Sequence, residues 1–262
     1  MIPTADILAW RADHPWISNA QVEQDLIICR AVIELFKHPV LREQLAFRGG
    51  TALHKLFLKP STRYSEDIDL VQMKSGAIGP VMDGVHEALD SWLGNPRREQ
   101  KEGTVTLTYR VNSELAPIVP LRLKIEINTR EHFSLLGLVE KPLVVQSRWF
   151  TGQLAIPTFD LDELLGTKLR ALYQRRKGRD LFDLWLGLTQ GGANAVRIVE
   201  IFRKYMAAEG NLISRAEYTQ NLTLKMQHTS FLSDLPPLLR PGIIYDMVEA
   251  HRLIYTELLA QL

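Results

Sequence analysis

"RYSEDIDLV", residues 63–71, sets two aspartates, Asp67 and Asp69, two positions apart in a segment that otherwise reads as a β-strand. Alternate residues of an extended chain share a face, so both carboxylates project to one side, their Cα atoms about 6–7 Å apart, while Ile68 and Leu70 point to the other. Like charges held that close repel unless a cation lies between them or water surrounds them. On the triplet alone, a solvated strand end and a cation-holding pair both remain open.

The neighbouring sequence favours the cation. Upstream, "RGGT" (48–51) puts a diglycine turn, Gly49 and Gly50, before Thr51, which can open a short helix. Backbone N–H groups at such a turn suit a phosphate. Arg63 and Ser65, flanking the acids, either touch phosphate as well or finish a turn. Downstream, "LRLKIEIN" (121–128) alternates Leu121, Leu123, Ile125 and Ile127 with Arg122, Lys124, Glu126 and Asn128. "TVTLTYRV" (104–111) alternates in the same way, and such patterning marks strands with one buried and one wet face. If the strands share a sheet, Glu126 adds a third acid beside Asp67 and Asp69, unless it pairs with Lys124 or Arg122 instead. An all-oxygen set of this kind suits Mg²⁺ or Mn²⁺ with an NTP as substrate.

Around these strands, residues 19–38 read as an amphipathic helix with Ser18 as N-cap, and a further helix is expected near 80–93. "GNPRREQKEG" (94–103) reads as a polar loop. From about 158 the spacing becomes helical and stays so. A boundary near 150 therefore divides a core domain, 1–150, from a helical domain, 151–262, and the fold class is α+β: a mixed sheet flanked by helices, then a helical C-terminal domain.

Composition narrows the function classes. The chain has 262 residues, 46% hydrophobic and 23% charged, with 31 basic against 30 acidic side chains, so no global field points to nucleic acid or membrane and any charge signal is local. A single cysteine, Cys29, allows no internal disulfide and falls in an apolar run, where a packed, inert thiol is expected. Neither a signal peptide nor a membrane-spanning run is visible, so a cytoplasmic protein without a membrane partner is expected. Neither a P-loop nor a nucleophile elbow occurs, and the seven histidines, His54 and His132 among them, lack metal-ligand spacing.

The helical part carries its own chemistry. In "DLDELLGTKLRAL" (160–172), Asp160 and Glu163 stand at capping-box spacing, and Lys168 falls within the apolar stripe, either snorkelling or aimed at an anion. Asp180 and Asp183 share a face of the next helix, as dipole-stabilised acids or as functional ones. Between Lys168 and Asp180, Arg170, Arg175, Arg176, Lys177 and Arg179 crowd one short stretch, which is a solvated helix end or a contact for an RNA backbone with Tyr173 available for stacking.

Taken together, "VEQDLII" (22–28), "FRGGTALHKLF" (47–57), "RYSEDIDL" (63–70), "LKIEI" (123–127) and "DELLGTKLRALYQRRKGRDLFDL" (162–184) resemble the AbiEii/AbiGii toxin nucleotidyltransferases of the DNA polymerase β-like superfamily, over residues from about 20 to 188. The resemblance implies the toxin half of a bacterial toxin–antitoxin or phage-defence pair, moving a nucleotide from an NTP to an acceptor such as the tRNA 3′ end, with a cognate antitoxin as partner. It implies Asp67, Asp69, Lys168 and Asp180 as catalytic residues, Asp183 as the alternative acid, and Lys168 on nucleotide phosphate in a cleft between the domains. A small-molecule nucleotidyltransferase and a non-catalytic GTP-binding regulator are the alternatives.

Overall fold

The computed structural model of the protein describes residues 2–262. The chain forms two compact units, one running through Ser134 and including Leu138–Phe159, the other comprising Leu135–Gly137 and Asp160–Leu262. The division falls at Phe159–Asp160 rather than near 150, because Thr151–Phe159 is a strand of the first unit's sheet.

In the first unit, α1 (Thr4–Asp13) leads to α2 (Asn19–Lys37), which begins as the sequence suggests: the Ser18 hydroxyl accepts from the Gln21 N–H while the Gln21 side chain accepts from the Ser18 N–H. A short α3 (Pro39–Gln44), β1 (Leu45–Arg48) and α4 (Gly49–Ala52, continued by a wider turn over Leu53–Phe57) follow. Next come β2 (Asp67–Gln72), α5 (Gly79–Leu93), β3 (Arg97–Lys101), β4 (Thr104–Asn112), β5 (Pro120–Asn128), β6 (Leu138–Gln146) and β7 (Thr151–Phe159). The strands form one mixed sheet in the order β3-β4-β5-β2-β1-β7-β6. β2 runs parallel to β5 and antiparallel to β1.

One departure concerns β3. The segment expected as a loop pairs in full with β4, Arg97 opposite Thr108 through Lys101 opposite Thr104. Every β3 residue is exposed, so no apolar alternation betrays it, and its charges suit a sheet edge that must not recruit another chain.

The sheet's two faces differ sharply. Ile68, Leu70, Val105, Leu107, Tyr109, Leu123, Ile125 and Ile127 are buried on the face against which α2 and α5 pack, and the Tyr109 hydroxyl donates to Asp90 of α5. The opposite face of β4, β5 and β2 carries Thr106, Thr108, Arg110, Arg122, Lys124, Glu126, Asp67 and Asp69, none of them buried. Cys29 is buried on α2, as expected, and burial pushes its thiol up to about 12, which keeps it unreactive.

The second unit is helical: α6 (Leu161–Gln174), α7 (Gly178–Thr189), α8 (Ala195–Ala208), α9 (Arg215–Met226), the short α10 (Thr229–Leu232) and α11 (Met247–Glu257). α6 packs on α7 and α8 through Leu164, Leu165, Leu169 and Leu172, all buried. Asp160 caps α6 by accepting from the Asp162 N–H, but Glu163 does not close a capping box. Its carboxylate instead accepts from the N–H groups of Leu135 and Leu136 and from the Tyr205 hydroxyl, which ties the Leu135–Gly137 segment to this unit. Among the described residues no helix is long and apolar enough to cross a membrane.

Candidate active site

The acidic face is built by strand register. Asp69 lies opposite Glu126 of β5 on one side and Arg48 of β1 on the other, while Asp67 lies opposite Lys124. Neighbouring strands lie about 4.8 Å apart, so three carboxylates occupy one small patch of sheet. Glu126 thus stands beside Asp69. Its side chain is turned along its own strand, with Oε2 at 2.6 Å from the Lys124 Nζ. Burial lowers the Lys124 pKa, but its bond to Glu126 and the charges of Glu126, Asp67 and Asp69 outweigh that and hold the ammonium above its ordinary value.

The glycine turn fits against these acids. Gly49 has φ +82°, the left-handed region that disfavours side chains, and a Cβ there would overlap the Asp69 carboxylate. At Gly50 a Cβ would sit 2.5 Å from an Arg63 guanidinium nitrogen and 3.0 Å from the Ser65 hydroxyl. Both glycines are therefore required by close approach. Thr51 is fully buried; its hydroxyl donates to the Asp67 carbonyl and lies 2.9 Å from that of Ser65, so it fastens the turn to the start of β2. Arg63, only 1% exposed, donates to the Tyr64 carbonyl. Arg63 and Thr51 thus pack against the turn and shape it. Arg48, which sequence reasoning passed over, forms an ion pair with the nearly buried Glu131.

Whether this patch fits a metal is decided by its donors. It offers carboxylate oxygens and neither sulfur nor imidazole, the chemistry of a hard divalent cation. Among the described residues, however, no three Asp, Glu, His or Cys side chains stand together as a closed metal cage. Asp67 and Asp69 fit as an oxygen pair, and Glu126 is engaged by Lys124.

In the second unit, Lys168 is 6% exposed and its ammonium lies 3.1 Å from Asp180 and 3.0 Å from Asp183, both fully buried. Asp180 also accepts two hydrogen bonds from Arg175, at 2.7 and 2.8 Å. Burial raises its pKa, yet Lys168 and Arg175 outweigh that and hold the carboxyl below its ordinary value. Two cations and two carboxylates thus form a neutral cluster at the joint of α6 and α7. Lys168 is neither snorkelling nor alone, and Asp180 and Asp183 serve it together.

The basic stretch resolves into local pairs. Arg170 is buried against Glu209 and over the Tyr205 ring, Lys177 and Arg179 both meet Asp234, and Arg175 belongs to Asp180. Arg176 faces the His228 ring at 3.4 Å. Tyr173 stacks at a tilt on the buried Tyr218. Four of the five cations expected to meet RNA are therefore committed inside the unit.

Comparison with known proteins follows from these features. The family described as nucleotidyl transferase AbiEii toxin, type IV toxin–antitoxin system, matches residues 31–252. Among solved structures, MenT4, a nucleotidyltransferase toxin from Mycobacterium tuberculosis, aligns with TM-score 0.66 at 17% identity, covering 98% of this chain and 88% of its own. A putative nucleotidyltransferase from Helicobacter pylori aligns with TM-score 0.57 at 17% identity over 94% of this chain and 95% of its own, and JHP933 from the same organism with 0.55 at 17% over 94% and 96%. At this identity the structural likeness speaks for the fold. No curated protein sequence matches the chain.

Proposed function

Because the chain belongs to the AbiEii family of nucleotidyltransferase toxins, whose type IV systems pair a toxin with an antitoxin, we propose that it transfers a nucleotide from an NTP to an acceptor hydroxyl at the tRNA 3′ end and that a cognate antitoxin restrains it. The observation that carries the reading is the register that sets Asp69 beside Glu126 and against the bare backbone of Gly49.

In this reading Asp67 and Asp69 hold Mg²⁺ or Mn²⁺, which when bound supplies charge neutralisation for the triphosphate. The backbone N–H groups of the Gly49–Gly50 turn, with Ser65, receive phosphate. Glu126 takes the proton of the acceptor hydroxyl as that oxygen bonds to the α-phosphorus. The bond from the α-phosphorus to its bridging oxygen breaks, and pyrophosphate leaves with the electron pair. Lys168, with two of its three N–H donors directed at Asp180 and Asp183, holds that acid pair in place.

Purified protein incubated with each labelled NTP, MgCl₂ and total bacterial tRNA tests the proposal. Label appearing on tRNA from one NTP supports it, and no transfer from any NTP rejects it.

A further inference from the structure

The polar face of the sheet does not end at the carboxylates. One row beyond Lys124, Arg110 of β4 and Arg122 of β5 lie directly opposite each other, both exposed. Like charges directly opposite on one face destabilise a strand pair. Neither has an ion-pair partner among the described residues, whereas Arg97 on the neighbouring edge strand is paired with Glu99. The pair therefore keeps two guanidinium groups side by side on open sheet with no internal anion to justify them.

The placement is directional. Thr108 and Lys124 form the next row, and Asp67 lies across from Lys124. Arg122 is two residues from Lys124, about 7 Å along the strand, so the route from the arginine pair to the acid pair is short and carries hydroxyl and ammonium donors. We propose that this face, from the Arg110–Arg122 pair through Thr108 to Lys124, binds the phosphodiester backbone of an RNA acceptor and leads its terminal hydroxyl to Asp67 and Asp69. The inference rests on the nucleotidyltransferase reading above and moves the RNA contact from the stretch 170–179, four of whose five cations are internally paired, to the sheet.

The charge pattern selects RNA over an acidic protein. Fork-shaped guanidinium groups suit phosphate, and the far end of the track must present a hydroxyl, because the transfer proposed above takes place at one. A nucleic-acid chain ending in a hydroxyl meets both conditions. An acidic peptide meets only the first.

The test measures binding of labelled total bacterial tRNA to the full chain over a series of salt concentrations, for the wild type and the double variant Arg110→Gln with Arg122→Gln, with MgATP and MgGTP binding measured in parallel. Removing two phosphate contacts lowers the slope of log K against log[salt] by about 1.4–1.8 and weakens binding on the order of tenfold near 0.1 M salt. Nucleotide binding stays at the wild-type level, and the melting temperature is at least that of the wild type, because the opposed like charges are gone. An unchanged slope, or a wild type that binds no RNA, overturns the proposal. Loss of nucleotide binding instead assigns the pair to the triphosphate and also overturns it. Polyglutamate competing as well as tRNA points to a protein partner and does the same. Since binding is read without turnover, a protein that binds tRNA through these arginines yet transfers nothing upholds the track while rejecting the activity.

Discussion

Gly49 lies so close to Asp69 that a single added methyl group would occupy the space of the carboxylate. The contact joins the glycine turn to the acid pair, and it makes Gly49 as much a part of the acidic patch as the acids. Gly49→Ala must displace Asp69 and also hold alanine at a left-handed φ, at a cost of about 1–2 kcal/mol for the backbone alone. Transfer activity should fall at least as far as in an Asp69 variant while the protein stays folded. A Gly49→Ala enzyme with full activity would show that Asp69 has room to move.

Lys168 illustrates how the structure changes an expectation. Read from sequence, a lysine aimed at a ligand could be removed at small cost to the apo protein. Its position between two fully buried carboxylates reverses that: Lys168→Ala removes one of the two cations that neutralise Asp180 and Asp183, Arg175 alone remaining on Asp180, and should cost about 3–5 kcal/mol. Denaturant unfolding at neutral pH measures this directly. Lys168→Arg, which keeps the charge, should recover most of the stability.

The Lys124 ammonium is bonded to Glu126 and held charged by Glu126, Asp67 and Asp69 together. Lys124→Gln should lower the melting temperature of the metal-free protein by at most about 2–4 °C, since a partly exposed ion pair contributes no more than roughly 1 kcal/mol. Added MgCl₂ should then raise it by more than in the wild type, because no ammonium competes for the carboxylates. Equal responses to MgCl₂ in both proteins would show that the cation binds elsewhere.

Glu23 gives the pH prediction. It is 1% exposed, and burial pushes its carboxyl up to about 7. The folded state thus holds a proton that the unfolded chain, titrating near 4.3, has released, so this group's contribution to stability declines as pH rises from about 4.5 through 7. Glu23→Gln should flatten the stability profile over that window. A slope identical to the wild type would place the proton elsewhere.

Much of this was legible in the chain. The alternation of 104–111 and 121–128, the Ser18 cap and the helix at 79–93 all follow from period and capping chemistry. β3 escaped because both of its faces are wet, and β6 because an edge strand with alternate exposed residues and a proline leaves a weak pattern. At the site, residue types were readable but register was not. That Asp69 faces Glu126, and Arg110 faces Arg122, depends on how strands distant in sequence align. Equally, nothing in "RALYQRRKGR" announces that its cations answer to Glu209, Asp180 and Asp234, the last lying 55 residues beyond Arg179.

The most direct measurement of the central claim is nucleotide transfer by Asp69→Asn, which keeps the size of the side chain, removes its charge and relieves repulsion with Asp67. With labelled NTP, MgCl₂ and total tRNA, the variant should be folded, at least as stable as the wild type, and reduced in transfer by a factor of at least 10², the scale of losing one charge-stabilising group in a transition state. Transfer at the wild-type rate by a well-folded Asp69→Asn protein would contradict the assignment of the Asp67–Asp69 face as the catalytic centre.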